Sequence, residues 1–153
     1  PIARKSAVRL VLDTNTAISG LLWHGTPGKL IDAARAKSVL LCTSAALIAE
    51  LRGVLAREKF AKQLETRGLN AIEVFDGYAA LTAIVVPAII QPTIVNDPSD
   101  DAVLACALGA KAEIIVSGDR HLLDLKEHRG IRVVTAAEAV RIVMSTRRKE
   151  TPG

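Results

Sequence analysis

Residues 97–123 read DPSDDAVLACALGAKAEIIVSGDRHLL, and the change of period inside this stretch decides the fold. Asp97 is a helix-capping residue type, because its carboxylate can accept from the free N–H groups of a first turn, and Pro98 suits the first helical position. Asp100, three residues after the cap, completes a pair of the capping-box kind. Val103, Leu104, Ala107 and Leu108 then recur at helical spacing, and Gly109 supplies the stop. EIIVSGD (113–119) follows as a short apolar run of the buried-strand kind, ending on Asp119. One helix start and one strand end thus each deliver carboxylates.

Outward from this unit the same alternation repeats. VRLVLD, after a short polar lead-in, is a strand that ends on Asp13, with TNT as a turn behind it. Residues 16–23 suggest a short helix broken at His24-Gly25, and Thr26 with Pro27 predicts a second helix to about Lys37. VLLCT (39–43) is a strand, and Ser44 caps a helix striped by Leu47, Ile48, Leu51, Val54 and Leu55. Glu50 borders that buried face. A basic stretch with scattered acids follows, and Asn70 with Glu73 boxes a helix through about Leu81. AIVVP (83–87) is the third strand, and Pro87, Pro92 and Pro98 make 87–98 a stiff connection. IRVV (131–134) is the last strand; Thr135 and Glu138 box the final helix.

Five apolar strands alternating with helices imply an α/β domain of three layers, a parallel sheet with helices on both faces. A chain of 153 residues suits one such domain, here 1–145 with a solvated tail over 146–153. Aromatic residues are 3% of the chain, so any nucleic-acid contact cannot rest mainly on stacked bases. The net charge of +4 is a mild invitation to polyanions. Cys42 and Cys106 sit in apolar runs without metal spacing and read as core thiols of an intracellular protein. No run reaches a membrane span and no signal peptide precedes the first strand, so a cytoplasmic protein is expected.

In parallel sheets, sites form outside the carboxyl ends of the strands, which is where Asp13 and Asp119 stand. The acids available to that rim are Asp13, Glu50, Asp97, Asp100, Asp101 and Asp119. Asp97 and Asp100 have capping duties. Asp101 has none and shares a face with Leu104, Ala105 and Leu108, so it is preferred over Asp100. Asp13 follows its strand with no structural task to account for it. Several carboxylates on one rim repel unless a cation joins them, and oxygen ligands favour Mg²⁺ or Mn²⁺. His24, His121 and His128 fall in loop or helix-surface contexts and are not read as ligands. Ser19 and Ser117 have no adjacent base, and no glycine-rich nucleotide loop is present.

Three blocks, LVLDTNTAISGLLWHG, TSAALIAELRGVLAREKF and the 97–123 stretch, together resemble the PIN-domain nucleases, and among them the toxin components of type II toxin–antitoxin pairs. The resemblance covers about residues 8–140. It implies a five-stranded parallel sheet between helices and Mg²⁺- or Mn²⁺-dependent hydrolysis of RNA phosphodiester bonds. By position in the motifs it assigns Asp13, Glu50, Asp101 and Asp119 as acids, with Asp100 competing for the place of Asp101. Asn15 matches the small polar residue of the opening motif, and Ser117 sits beside the last acid. On this reading Asp13, Asp101 and Asp119 hold one or two metal ions, while Glu50 ligates a second ion or orients the attacking water, with Asn15 assisting. RNA is the expected substrate and an antitoxin the expected protein partner; a homodimer is left open. Arg52, Arg57 and Lys59 read first as a solvated helix face and second as phosphate contacts.

Two other functions compete. A phosphatase of the haloacid-dehalogenase type would use LVLDTN as its nucleophile loop, but it wants a carboxylate where Asn15 stands. A catalytically silent module binding RNA or a protein partner is the other, and the intact set of acids argues against it.

Overall fold

The computed structural model describes residues 7–91 and 98–150, with backbone only over 146–150. The strands β1 (Val8–Leu12), β2 (Val39–Thr43), β3 (Ala83–Ile84), β4 (Ile114–Val116), β5 (Glu127–His128) and β6 (Ile131–Val134) form one sheet in the order β3-β2-β1-β4-β6-β5. Every pairing is parallel except β5 with β6. The register sets Leu10 beside Leu41 and Ile114, and Val11 beside Cys42 and Ile115. The chain therefore builds one half of the sheet outward from β1, then crosses back to lay β4 on the other flank of β1. That reversal opens a crevice at the carboxyl ends of β1 and β4.

Alternation along each strand feeds two cores. Leu10, Leu12, Leu41, Ile114, Val116 and Val134 face helices α1 (Thr14–Trp23), α2 (Gly25–Arg35) and α8 (Ala136–Glu150), whose Ile18, Leu22, Leu30, Ile31 and Val143 join the same cluster. Val11, Cys42, Ile115 and Val133 face α6 (Pro98–Ala110), which contributes Val103, Leu104, Cys106, Ala107 and Ala110. Helices α3 (Ala45–Leu55), α4 (Glu58–Glu65) and α5 (Ala71–Leu81) lie between β2 and β3 in sequence, and α7 (Arg120–Leu123) is a single turn after β4. Burying a leucine such as Leu10 or Leu41 contributes about 2–3 kcal/mol. Among the described residues no helix is long and apolar enough to cross a membrane.

The parallel sheet between helix layers agrees with the sequence. The differences are local and each has a cause. The sixth strand, β5, exists because Arg129 and Gly130 both adopt positive φ, 50° and 85°, closing a two-residue hairpin onto β6. β3 stops after two residues instead of running to Pro87. Val85 N–H still donates to Thr43 at 2.8 Å, but Ala88 N–H turns to α6 and donates to Ala105 at 2.9 Å. α4 interrupts the stretch read as merely basic, anchored by the buried Leu64. α2 starts at Gly25, not at a Thr26 cap; Pro27 falls in its first turn, where a missing N–H costs nothing. The tail expected from 146 continues as helix to Glu150. The cap assigned to Asp97, and Pro92, lie outside the described residues.

Gly109 has a different task from the stop expected of it. The left-handed residue that ends α6 is Lys111, φ 53°, with Lys111 N–H donating to Leu108 and Ala112 N–H to Ala107, the paired bonds of a Schellman motif. Gly109 lies inside the helix, where a Cβ would run into the carbonyl oxygen of Val86 and the backbone of Pro87 and Ala88. It is glycine because another chain segment crosses there.

Burial also sets the thiols. Cys106 is fully buried and its pKa is pushed up to about 12 from the ordinary 9.0, first by desolvation and then by Cys42 nearby, with a hydrogen bond involving Ser44 opposing. Cys42 is raised by burial too, against the pull of Arg9.

Two outcomes follow. Gly109→Ala should destabilise the fold by about 1–3 kcal/mol in urea titrations, although glycine to alanine inside a helix ordinarily stabilises by roughly 0.5–1 kcal/mol; a stabilised variant would contradict the crossing at Val86. For the thiols, a folded pKa above the unfolded one means that stability is fully present below pH 9.0 and is lost as pH climbs toward about 12. Urea midpoints should fall across that window, and fall less steeply in Cys106→Ala.

Candidate functional site

The crevice at the β1–β4 switch is built by caps. Asp13, the residue after β1, is 6% exposed and caps α1, its Oδ1 accepting from Thr16 N–H at 2.8 Å. It thus has a structural task that the sequence does not reveal. Its Oδ2 accepts a short hydrogen bond from the Ser117 hydroxyl, just past β4. That same hydroxyl accepts from Asp119 N–H at 2.9 Å, and Ser117 N–H donates to Val134 on β6 at 3.0 Å. Ser117, 1% exposed, therefore fixes the first and last acids relative to each other. Asp119 caps α7, with Oδ1 accepting from His121 N–H at 2.8 Å and Leu122 N–H at 3.3 Å. Its Oδ2 takes no part in the cap.

Two helices bring the other acids. α3 starts at the carboxyl end of β2, its cap Ser44 accepting from Leu47 N–H, and carries Glu50 in its second turn. α6 carries Asp100 in its first turn. Asp13, Glu50, Asp100 and Asp119 line one pocket of about 140 Å³, joined by Asn15 from the first turn of α1. No lysine or arginine is among the described residues lining it. One ligand atom each of Asp100, Asp119 and His121 lies within 4.8 Å of the others, a spacing that a single cation could bridge. Among the described residues the donor set is four carboxylates and one imidazole around an opening without lysine or arginine side chains, and it fits Mg²⁺ or, with the nitrogen ligand, Mn²⁺.

At the adjacent pair 100–101 the geometry favours Asp100. It is 7% exposed and lies one turn before the buried Val103 and two turns before the buried Ala107. Asp101 is rotated by about 100° from it, is half-buried with Ala105 and Leu108, and is not among the residues lining the pocket. The stripe alone does not decide between them: counting back from Val103 and Ala107 reaches 100, whereas counting back from Leu104 and Leu108 reaches 101. His121, a surface residue by its sequence context, stands beside the acids; its place two positions after Asp119 in a one-turn helix is the available hint. Arg52 stacks over Phe75 at 5.7 Å and Lys59 over Phe60 at 5.0 Å, and neither lines the pocket.

The buried groups behind the site do not offer a nucleophile. Burial pushes the Tyr78 phenol well above its ordinary range, and Cys106 and the Asp13 carboxylate push it further. Burial likewise holds Cys106 as a thiol.

No curated protein matches the chain. Among solved structures, VapBC2 from Rickettsia felis bound to a DNA fragment from its promoter is similar, with a TM-score of 0.55 and 15% identity over 82% of this chain and 97% of that one. At that identity the likeness concerns the fold. The family model described as PIN domain matches residues 9–121, which span β1 to the first turn after β4 and take in every acid of the pocket. By that match, over most of its length, the chain belongs to the PIN domain family.

Proposed function

We propose that the protein is an endoribonuclease that hydrolyses RNA phosphodiester bonds with Mg²⁺ or Mn²⁺, and that it is the toxin of a toxin–antitoxin pair. The observation that carries this reading is the convergence of Asp13, Glu50, Asp100 and Asp119 on one small pocket with no lysine or arginine among the described residues lining it. Four like charges facing one volume repel, and a divalent cation is what relieves that cost. Asp13, Asp100 and Asp119 would hold it, with His121 at the exposed side and Glu50 at a second ion or on the attacking water. Asp101 keeps the role of a competing ligand from the next position. When bound, the ion polarises the phosphoryl group and lowers the pKa of a water.

The chain's own groups set the geometry. Ser117 donates to Asp13, and Thr16 N–H donates to its other oxygen, so this carboxylate cannot swing between rotamers. Asp119 is fixed through its cap, leaving Oδ2 outside those bonds. Glu50, half-buried on α3, can accept a proton from water, and the Asn15 amide can orient that water by donating to it. An antitoxin partner is supported by the likeness of the three sequence blocks to toxin components, and the fold shared with VapBC2 accords with it.

Single-stranded RNA should be cut in the presence of Mn²⁺ and spared with EDTA. Asp13→Asn should slow cutting by about a hundredfold or more. Asparagine caps α1 as well as aspartate does, so the variant should fold. Undiminished cutting by Asp13→Asn, or cutting in EDTA, would refute the reading. The ligand at 100–101 is separable by thermal melts. At a hundred times its dissociation constant Mn²⁺ should stabilise the wild type by about 2.7 kcal/mol. Asp100→Asn should lose most of that response and Asp101→Asn should keep most of it; the reverse ranking would make Asp101 the ligand.

A further inference from the structure

Beside the acidic pocket lies a larger cavity of about 500 Å³ that shares Asn15 and Asp119 with it. Its other walls come from α1, α2, the residue after Asp119 and the start of α8, including Ser19, Pro27, Arg120 and Ala136. The two cavities differ in charge. Acids dominate the first, whereas among the described residues lining the second Arg120 is the one cation and Asp119 the one acid. They also differ in how far their polar groups are committed. Ser117 is tied to Asp13 and Asp119, and the Thr135 hydroxyl is engaged with Glu138. Asn15, Ser19 and Arg120 make no side-chain hydrogen bond or ion pair among the described residues. An amide, a hydroxyl and a guanidinium therefore stand available around a volume in the range of small-ligand sites.

An RNA chain places a phosphate on each side of every nucleoside. If one phosphate sits over the acids, its neighbour lies one nucleoside away, near carboxylates that repel it, and needs a cation there. Arginine meets a phosphate with a planar fork of donors, a geometry that lysine lacks. Pro27 and Ala136 give apolar surface to a sugar or base, and the Asn15 amide and Ser19 hydroxyl can hydrogen-bond to its polar edges. We infer that this cavity seats the nucleoside next to the scissile phosphodiester of a single-stranded RNA, with Arg120 holding the phosphate on the far side of that nucleoside. The inference rests on the nuclease reading above and adds to it a substrate subsite and a binding residue.

Arg120 is the first residue of α7, and alanine is a better helix former than arginine, so Arg120→Ala should fold. The test is anisotropy of a short labelled oligoribonucleotide with Ca²⁺ replacing Mn²⁺, so that binding is read without depending on cleavage. Arg120→Ala should weaken binding about tenfold or more, and Arg120→Lys by less. The slope of log affinity against log salt should fall by about 0.7, as expected when the protein neutralises one phosphate fewer on a single strand. Arg141→Ala, at an exposed arginine that does not line either cavity, should bind as the wild type does. Equal affinities for Arg120→Ala and Arg141→Ala would overturn the subsite. In that case a wild type that still cuts RNA with Mn²⁺ would leave the nuclease reading standing, whereas one that neither binds nor cuts RNA would bring down both.

Discussion

The Ser117 hydroxyl joins three parts of the molecule that are distant in sequence. It donates to Asp13 at the end of β1 and accepts from Asp119 N–H beyond β4, while the Ser117 backbone pairs with β6. Its burial makes this geometry obligatory, since a hydroxyl removed from water loses free energy unless both its proton and its lone pairs are matched. Parallel pairing of β1 with β4 brings these residues to one level, and the caps of α1 and α7 hold the carboxylates at the crevice mouth. A shift of register in β4 by one residue would send Ser117 to the wrong face of the sheet and separate Asp13 from Asp119.

Capping explains why acids can be concentrated here before any ion is considered. Asp13 and Asp119 each satisfy backbone N–H groups of a helix start, and Asp100 stands in the first turn of α6. Helix starts favour negative charge, which offsets part of the repulsion among the four carboxylates. On the proposed reading a residue is structural and functional at once, and Asp13 is the clearest instance. The capping duty leaves one oxygen to the Ser117 hydroxyl and holds the side chain in a single orientation, as a rigid ligand requires.

On the proposed reading, the two cavities divide the labour that a polyanionic substrate imposes. A pocket with four acids can hold a cation but repels phosphate, and the neighbouring cavity supplies the opposite charge through Arg120. Placing the two side by side would let one strand be gripped next to the point of attack under the proposed function. The basic residues prominent in the sequence, Arg52 and Lys59, instead stack on Phe75 and Phe60.

The sequence by itself determined the layer architecture, because apolar strands alternating with striped helices can bury both faces of a sheet in few other ways. It also determined which acids stand at strand ends or border a buried helix face, since the places of Asp13, Asp119 and Glu50 follow from the local pattern. It could not register the close crossing at Gly109, the place of His121 beside the acids, or the positive φ at Arg129 that adds β5. Nor could it choose between Asp100 and Asp101. Adjacent positions on a helix differ by about 100° in direction, and which direction meets the crevice depends on how α6 is rotated against the sheet. That rotation is set by the packing of Val103, Cys106 and Ala107 against Val11, Ile115 and Val133, residues on segments far apart in the chain. Local patterns fix periodicity and caps. Only the packed core fixes the azimuth of each helix, and with it which of two neighbouring carboxylates faces the site.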